Sequence, residues 1–320
     1  MANDVWYDCF LETLAARYSK RAKLVEALMD LLNLEREAVY RRLRKDVLFS
    51  PYEIVKMAST WNFSLDEITN INAGTISFTM KAINYLNPSE EEFGDIQKRV
   101  RRLEHLKKTE DSEYMAVCNR LPRSLTTGYP ILYRFDIFRW AYQYGNEEVM
   151  PRFSETAISK QHLQEMADHA YLMKYVSNLS YIWDSRIFEH IVHEILYFHS
   201  ILLITNEEKE LLKNEILTLL DYMSGVASRG CFPETKRKVN LYISKICIDT
   251  NYSYFYTEKL KICRIHAFEK HDIFTFDSKM VEDFRTWMQL KKRTSIQISE
   301  VDEQSRIDFF MKQRELVESL

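Results

Sequence analysis

Residues 31–68, LLNLEREAVYRRLRKDVLFSPYEIVKMASTWNFSLDEI, place the end of an apolar helix, a tight connection, a short basic helix and a further apolar helix in immediate succession. A connection this short forces neighbouring helices to pack on one another, so the segment requires a small helical bundle around it.

The residues before it supply that bundle. Residues 5–19 carry Trp6, Phe10, Leu14 and Tyr18 at helical spacing, and residues 21–32 carry Leu24, Leu28, Leu31 and Leu32, so each segment has one apolar face to bury. A third helix over about 36–44 turns Val39 and Leu43 inward and leaves Arg36, Glu37, Tyr40, Arg41 and Arg44 away from that face. Ser50 is a natural N-cap, and Pro51 suits the first turn of a fourth helix continued by Ile54, Val55 and Ala58. Ser64 followed by Glu67 repeats the capping-box spacing for a short fifth helix.

The third helix also carries the charge. Glu35 to Lys45 holds Arg36, Arg41, Arg42, Arg44 and Lys45 against Glu35 and Glu37, a local excess of three positive charges in a chain of net charge -3. Any contact with nucleic acid must therefore be local and not a matter of bulk charge. A recognition helix needs long hydrogen-bonding side chains near its N-terminus and basic residues beside it for phosphates. Here Arg36, Glu37, Tyr40 and Arg41 would face base edges or the groove wall, with Arg44 and Lys45 nearer phosphates. The plainer alternative is a solvated basic face of a small bundle.

The stretch Ala38–Val39–Tyr40–Arg41–Arg42–Leu43–Arg44–Lys45 is followed by Phe49–Ser50–Pro51–Tyr52–Glu53 and closed by Asn62–Phe63–Ser64–Leu65–Asp66–Glu67–Ile68. It resembles the Cro/repressor-like (lambda-repressor-like, XRE-type) helix-turn-helix family, especially bacterial cytoplasmic members with an AYRR(I/L)RG-like third helix. Asn33 stands at the turn that often contains Gly, and Leu34 matches the buried residue after it. The resemblance implies a five-helix DNA-binding bundle over residues 1–70, with Glu35, Arg36, Glu37, Tyr40, Arg41 and Arg44 approaching double-stranded DNA. Three positions depart from the family: Met29 replaces a small Ala, Glu35 a Ser or Thr cap, and Lys45 a Gly.

Residues 71–110 read as a linker and a dimerisation helix. Residues 70–80 hold Gly74 and several Ser and Thr, and after Asn87–Pro88 a charged helix over 89–109 spaces Phe93, Ile96, Val100 and Leu103 as a short coiled-coil seam. Such a seam could pair two copies, and an ordinary amphipathic helix packed on the next domain is the other reading. Residues 111–225 read as a helical body, with substantial helices at 159–176, 181–204 and 206–224. Residues 226–320 read as a small mixed α/β unit, with strands at 239–248, 252–257, 259–268, 273–276 and 294–299 and helices at 278–291 and 301–318. The expected fold class is thus mainly α: a five-helix bundle, a central helical body and a small mixed α/β C-terminal unit.

With only 6 Gly and 6 Pro in 320 residues, long helices are favoured over a glycine-rich phosphate-binding fold. The apolar run IVHEILYFHSILLI at 191–204 contains two His and one Glu and falls short of the roughly 20 residues that cross a bilayer, so no membrane span is expected. The five widely spaced Cys, with no secretory pattern at the N-terminus, fit a cytoplasmic location.

Other constellations read as structure. Glu189, His190, His193, Glu194 and His199 share a helix in an order unlike a zinc protease motif, among apolar neighbours. Cys247, Cys263 and His266 lie on candidate strands without a short Cys pair, and a catalytic thiol paired with His266 would need a geometry that spacing does not supply; Tyr252, Tyr254 and Tyr256 share one sheet face that could line a ligand site but reads more plainly as a wet surface or subunit interface. No nucleophile–base set, phosphate loop or metal motif is complete, so neither catalysis nor a cofactor is expected. The expectation is a homodimeric DNA-binding transcription regulator whose C-terminal region senses a small molecule or holds a protein. Its rival is an interaction or scaffold protein whose bundle no longer binds DNA.

Overall fold

The computed structural model describes residues 5–18, 20–61, 63, 65, 68, 76–80, 90–144, 152–258, 260–267 and 271–320. The chain divides into two compact units, residues 1–77 and 78–320.

In the first unit α1 (Val5–Ala16), α2 (Arg21–Leu32), α3 (Arg36–Leu43) and α4 (Pro51–Trp61) enclose one core. Tyr7, Phe10 and Leu14 of α1, at spacings of three and four, meet Leu24, Val25 and Leu28 of α2, Val39 of α3, and Ile54 and Met57 of α4. The buried aromatic of the first turn is Tyr7, whereas Trp6 is exposed. Burying a phenol requires a partner for its oxygen, and the Tyr7 hydroxyl accepts from the Phe49 N–H at 2.9 Å. At the start of α4 the Ser50 Oγ accepts the Glu53 N–H and the Glu53 carboxylate accepts the Ser50 N–H, a reciprocal cap. The fifth helix expected from Ser64 onward lies outside the described residues, apart from Leu65 and the buried Ile68.

The second unit overturns the expected fold class. It is built on one eight-stranded mixed sheet whose strands are spread through the chain, not on a helical body followed by a small C-terminal unit. The strands are β1 (Thr79–Met80), β2 (Ser112–Cys118), β3 (Asn178–Trp183), β4 (Lys238–Ser244), β5 (Tyr252–Thr257), β6 (Lys261–Ala267), β7 (His271–Thr275) and β8 (Ser295–Gln297). Their order across the sheet is β1-β7-β6-β5-β2-β3-β4-β8. The centre, β2-β3-β4, is parallel, with Tyr114 opposite Leu179 and Leu179 opposite Val239. β5, β6 and β7 extend it as an antiparallel meander on one side and β8 closes the other.

Parallel neighbours need crossovers, and helices supply them. Between β2 and β3 run α6 (Arg123–Thr126), α7 (Pro130–Tyr144) and α8 (Lys160–Met173); between β3 and β4 run α9 (Glu189–Ser200) and α10 (Asn206–Arg229). Their apolar faces, with that of α12 (Glu303–Glu318), bury Tyr114, Ala116, Cys118, Leu179, Tyr181, Trp183, Val239 and Leu241 from one side of the sheet. On the other side α11 (Ser278–Leu290) lays Val281, Phe284 and Met288 over Met115, Val117, Ile182, Tyr254 and Cys263. Central strands covered on both faces lose the alternation that marks a strand. SEYMAVC and NLSYIW therefore show no strand period in the sequence and fall within what reads as a helical body.

The charged helix α5 (Glu90–Leu103) turns its apolar row inward. Ile96 and Val100 pack on Tyr133 of α7 and Met166 of α8 in the same chain, and Leu103 on the large core. The row that could pair two copies is packed from within the chain at Ile96, Val100 and Leu103; the Phe93 side chain lies outside the described residues.

Candidate nucleic-acid interface

The helix pair at the centre of the first unit is joined by three residues. Asn33 caps α2 in the left-handed region at φ 51, and its N–H returns to the Met29 carbonyl. Asn tolerates that conformation better than other side-chain-bearing residues, which is why it can stand where a Gly would serve. Glu35 is the N-cap of α3 and makes no side-chain cap bond, so the first N–H groups of α3 have no side-chain acceptor from that position.

α3 ends in a left-handed residue as well. Lys45 has φ 67, the Asp46 N–H bonds the Arg41 carbonyl at 2.9 Å, and the Lys45 N–H bonds the Arg42 carbonyl at 3.1 Å. These are the two bonds of a Schellman cap, in which Gly is the favoured residue.

Of the residues expected to reach DNA, Glu35, Arg36, Glu37, Arg41, Arg44 and Lys45 are exposed, while Tyr40 is half-buried against the bundle core. The Arg36 and Arg41 side chains form no hydrogen bond or ion pair among the described residues. Arg44 is engaged: its Nη2 meets Glu37 Oε1 at 2.8 Å and its Nε meets Asp46 Oδ2 at 3.0 Å. Those bonds to Glu37 and Asp46 hold its guanidinium pKa above the ordinary value. Lys45 pairs with Asp8. Arg42, from the same basic run, turns away from solvent, spanning to Glu53 with its guanidinium 6.0 Å over the Phe49 ring. The basic run thus divides into two unpaired cations, two cations in exposed pairs, and one cation that ties α3 to α4.

Sequence reasoning missed a second basic group. Lys20, Arg21 and Lys23 are all exposed at the start of α2, where Lys20 is an extended N-cap without a side-chain bond. Three exposed cations at the helix N-terminus suit an anionic oxygen. The legible signal was three basic residues within four positions ahead of an apolar helix.

In the second unit Arg120 and Arg139 both pair with Glu194, at 3.0 and 2.6 Å, and Arg139 also meets Asp136 at 3.2 Å. Among the described residues no group of three or more His, Cys, Asp or Glu is placed to hold a metal ion. Burial pushes the His190 imidazole below its ordinary pKa, with Arg120 nearby adding to the effect. Cys263 is buried in the core under α11, and burial raises its thiol pKa to about 11. His266, three residues along the same strand, points to the opposite face and pairs with Asp272 at 3.2 Å, so the two cannot act together. The face of Tyr252, Tyr254 and Tyr256 is covered by α11: Tyr254 bonds Glu113 and Gln289, and Tyr256 lies beneath the Arg285 guanidinium.

No family model, curated protein or solved structure matches this chain. No helix among the described residues is long and apolar enough to cross a membrane.

Proposed function

We propose that the chain is a DNA-binding regulator of the Cro/repressor-like kind, reading double-stranded DNA through α3 while residues 78–320 carry a sensing or partner-binding function. The observation that carries this reading is the pair Arg36 and Arg41, exposed and unpartnered on a helix entered through the left-handed Asn33 turn. Both lie on the solvent side of a helix anchored by Val39, so α3 can enter a major groove without disturbing its own packing. Arg36 and Arg41 are assigned to base edges, with Glu35, Glu37 and Tyr40 along the groove. Arg44 and Lys45, with Lys20, Arg21 and Lys23, are assigned to phosphates. The mechanism is binding, with no bond made or broken. Two copies acting as a homodimer would read half-sites about one helical turn apart.

A second reading is favoured by one observation. Glu37 neutralises Arg44, and Glu35 and Glu37 place two exposed carboxylates at the start of α3. A mixed surface of that kind also suits a protein partner, with the bundle acting as an interaction module.

Selection of genomic fragments by the full-length protein, with Arg36→Ala/Arg41→Ala in parallel, separates the two. Enrichment of one near-palindromic site by the native protein and not by the variant supports a DNA reader. No enrichment at low or physiological salt favours the interaction module.

A further inference from the structure

On the face of the sheet that carries the crossover helices, the antiparallel meander turns polar groups inward where the parallel centre turns apolar ones. Register sets Ser253 of β5, Arg264 of β6 and Phe274 of β7 in one row, and His266 of β6 beside Asp272 of β7 in the next. Phe274 packs on the large core, which fixes the side of the sheet that these rows occupy. His169 of α8 lies within electrostatic reach of three guanidiniums from three separate elements: Arg99 of α5, Arg264 of β6 and Arg123 of α6.

Burial and these guanidiniums push the His169 imidazole down to about 3, so the ring is neutral at physiological pH. Its Nδ1 is buried and has no hydrogen-bond partner among the described residues, a state that costs free energy until something fills the place. The surroundings are a cleft and not a core. Burial opposes the charge on Arg123 and on Asp272; Asp136 outweighs it for the first and raises its pKa, while His266 and Arg264 outweigh it for the second and lower its pKa. Yet the two side chains keep 44% and 43% of their surface open. Groups that are surrounded by protein and still reach solvent line a concavity.

The carboxylates nearby are already engaged. Asp272 meets the His266 ring at 3.2 Å, and Asp136 is divided between Arg123 at 3.7 Å and Arg139 at 3.2 Å. The Arg264 side chain, half-buried, forms no hydrogen bond or ion pair among the described residues. A shielded guanidinium without a counter-charge attracts an anion. One guanidinium fork satisfies a planar carboxylate, whereas guanidiniums arriving from α5, α6 and β6 suit an acceptor whose oxygens point in several directions. A phosphate group is such an acceptor.

We propose that this cleft binds the phosphate group of a small ligand, held by Arg99, Arg123 and Arg264, with the His169 ring donating an Nδ1–H to one of its oxygens. The role requires the tautomer that carries hydrogen on Nδ1. The inference does not rest on the DNA reading, because its ligand and residues belong to the second unit alone.

The test is calorimetric titration of the full-length protein, without DNA and at constant ionic strength, with inorganic phosphate, methyl phosphate and acetate. One of the two phosphates should bind at least about tenfold more tightly than acetate, and the tighter of them tells whether the ligand's phosphate is free or esterified. Arg264→Gln should weaken that binding at least about tenfold while circular dichroism stays native. Arg293→Gln, which removes the same charge from an exposed position beside β8 at the other edge of the sheet, should leave it unchanged. In the native protein the His169 ring nitrogen signals, assigned through His169→Gln, should shift with phosphate and not with chloride. No binding of either phosphate, acetate binding as tightly, static His169 signals, or Arg264→Gln behaving like Arg293→Gln would each overturn the proposal.

Discussion

Arg42 and Glu53 face each other across the corner between α3 and α4, with Nη2–Oε1 at 3.0 Å and Nε–Oε2 at 3.2 Å. Both side chains are largely shielded, so the pair is a two-pronged tie in a partly dry setting. Burial pushes the Glu53 carboxyl upward, but the Ser50 N–H and the Arg42 guanidinium outweigh it and leave its pKa below the ordinary value. A lowered carboxylate pKa stabilises the fold above the unfolded pKa, and that stabilisation is lost as pH falls through the folded value. Glu53→Gln should therefore cost about 1–2 kcal/mol at pH 7 and flatten the stability–pH curve below about pH 5. Denaturant titrations of the helical signal from pH 3 to 7 check both effects.

Lys45 closes α3 at φ 67, where a side chain is strained. Lys45→Gly should stabilise the first unit by about 1 kcal/mol, since the exposed pair with Asp8 that it removes contributes little. A rise in the thermal midpoint is expected, and a fall would show that Asp8 matters more than the cap.

Gly230 ends α10 at φ 67, and a Cβ there would fall on the Glu300 side chain. Gly230→Ala should destabilise the second unit by about 1–3 kcal/mol. Adding Glu300→Ala should recover the steric part and leave the backbone part. No recovery in the double variant would show that the close approach to Glu300 is not what constrains the position.

Ile96 is buried between α5, α7 and α8, so Ile96→Ala should act within one chain. A loss of about 2–5 kcal/mol independent of protein concentration is expected in denaturant titration. A loss that grows on dilution would place this row at an interface between copies.

Legibility followed how each element is buried. The meander was readable because strands such as YSYFYT alternate and are bounded by turns, whereas SEYMAVC and NLSYIW, covered on both faces, presented short apolar runs without a period. Placing both inside a helical body removed two of the three parallel strands at the centre of the sheet and produced the wrong class. In the first unit Val39 and Leu43 were legible from spacing and the turn at Asn33 from the family resemblance, but Tyr7 was not, because its burial depends on an acceptor role toward Phe49, 42 residues away. Arg44 was half-legible. Glu37, seven residues earlier, shares its helix face, while the contact with Asp46 forms beyond a left-handed residue that spacing does not reveal.

The proposed contact of α3 with DNA through Arg36 and Arg41 can be measured by fluorescence anisotropy of the full-length protein on the selected duplex, at about 50 and 150 mM salt. Affinity should fall steeply with salt and drop at least about tenfold in Arg36→Ala/Arg41→Ala, with the thermal midpoint unchanged. Equal affinity of the native protein and the folded double variant at both salt concentrations would contradict it.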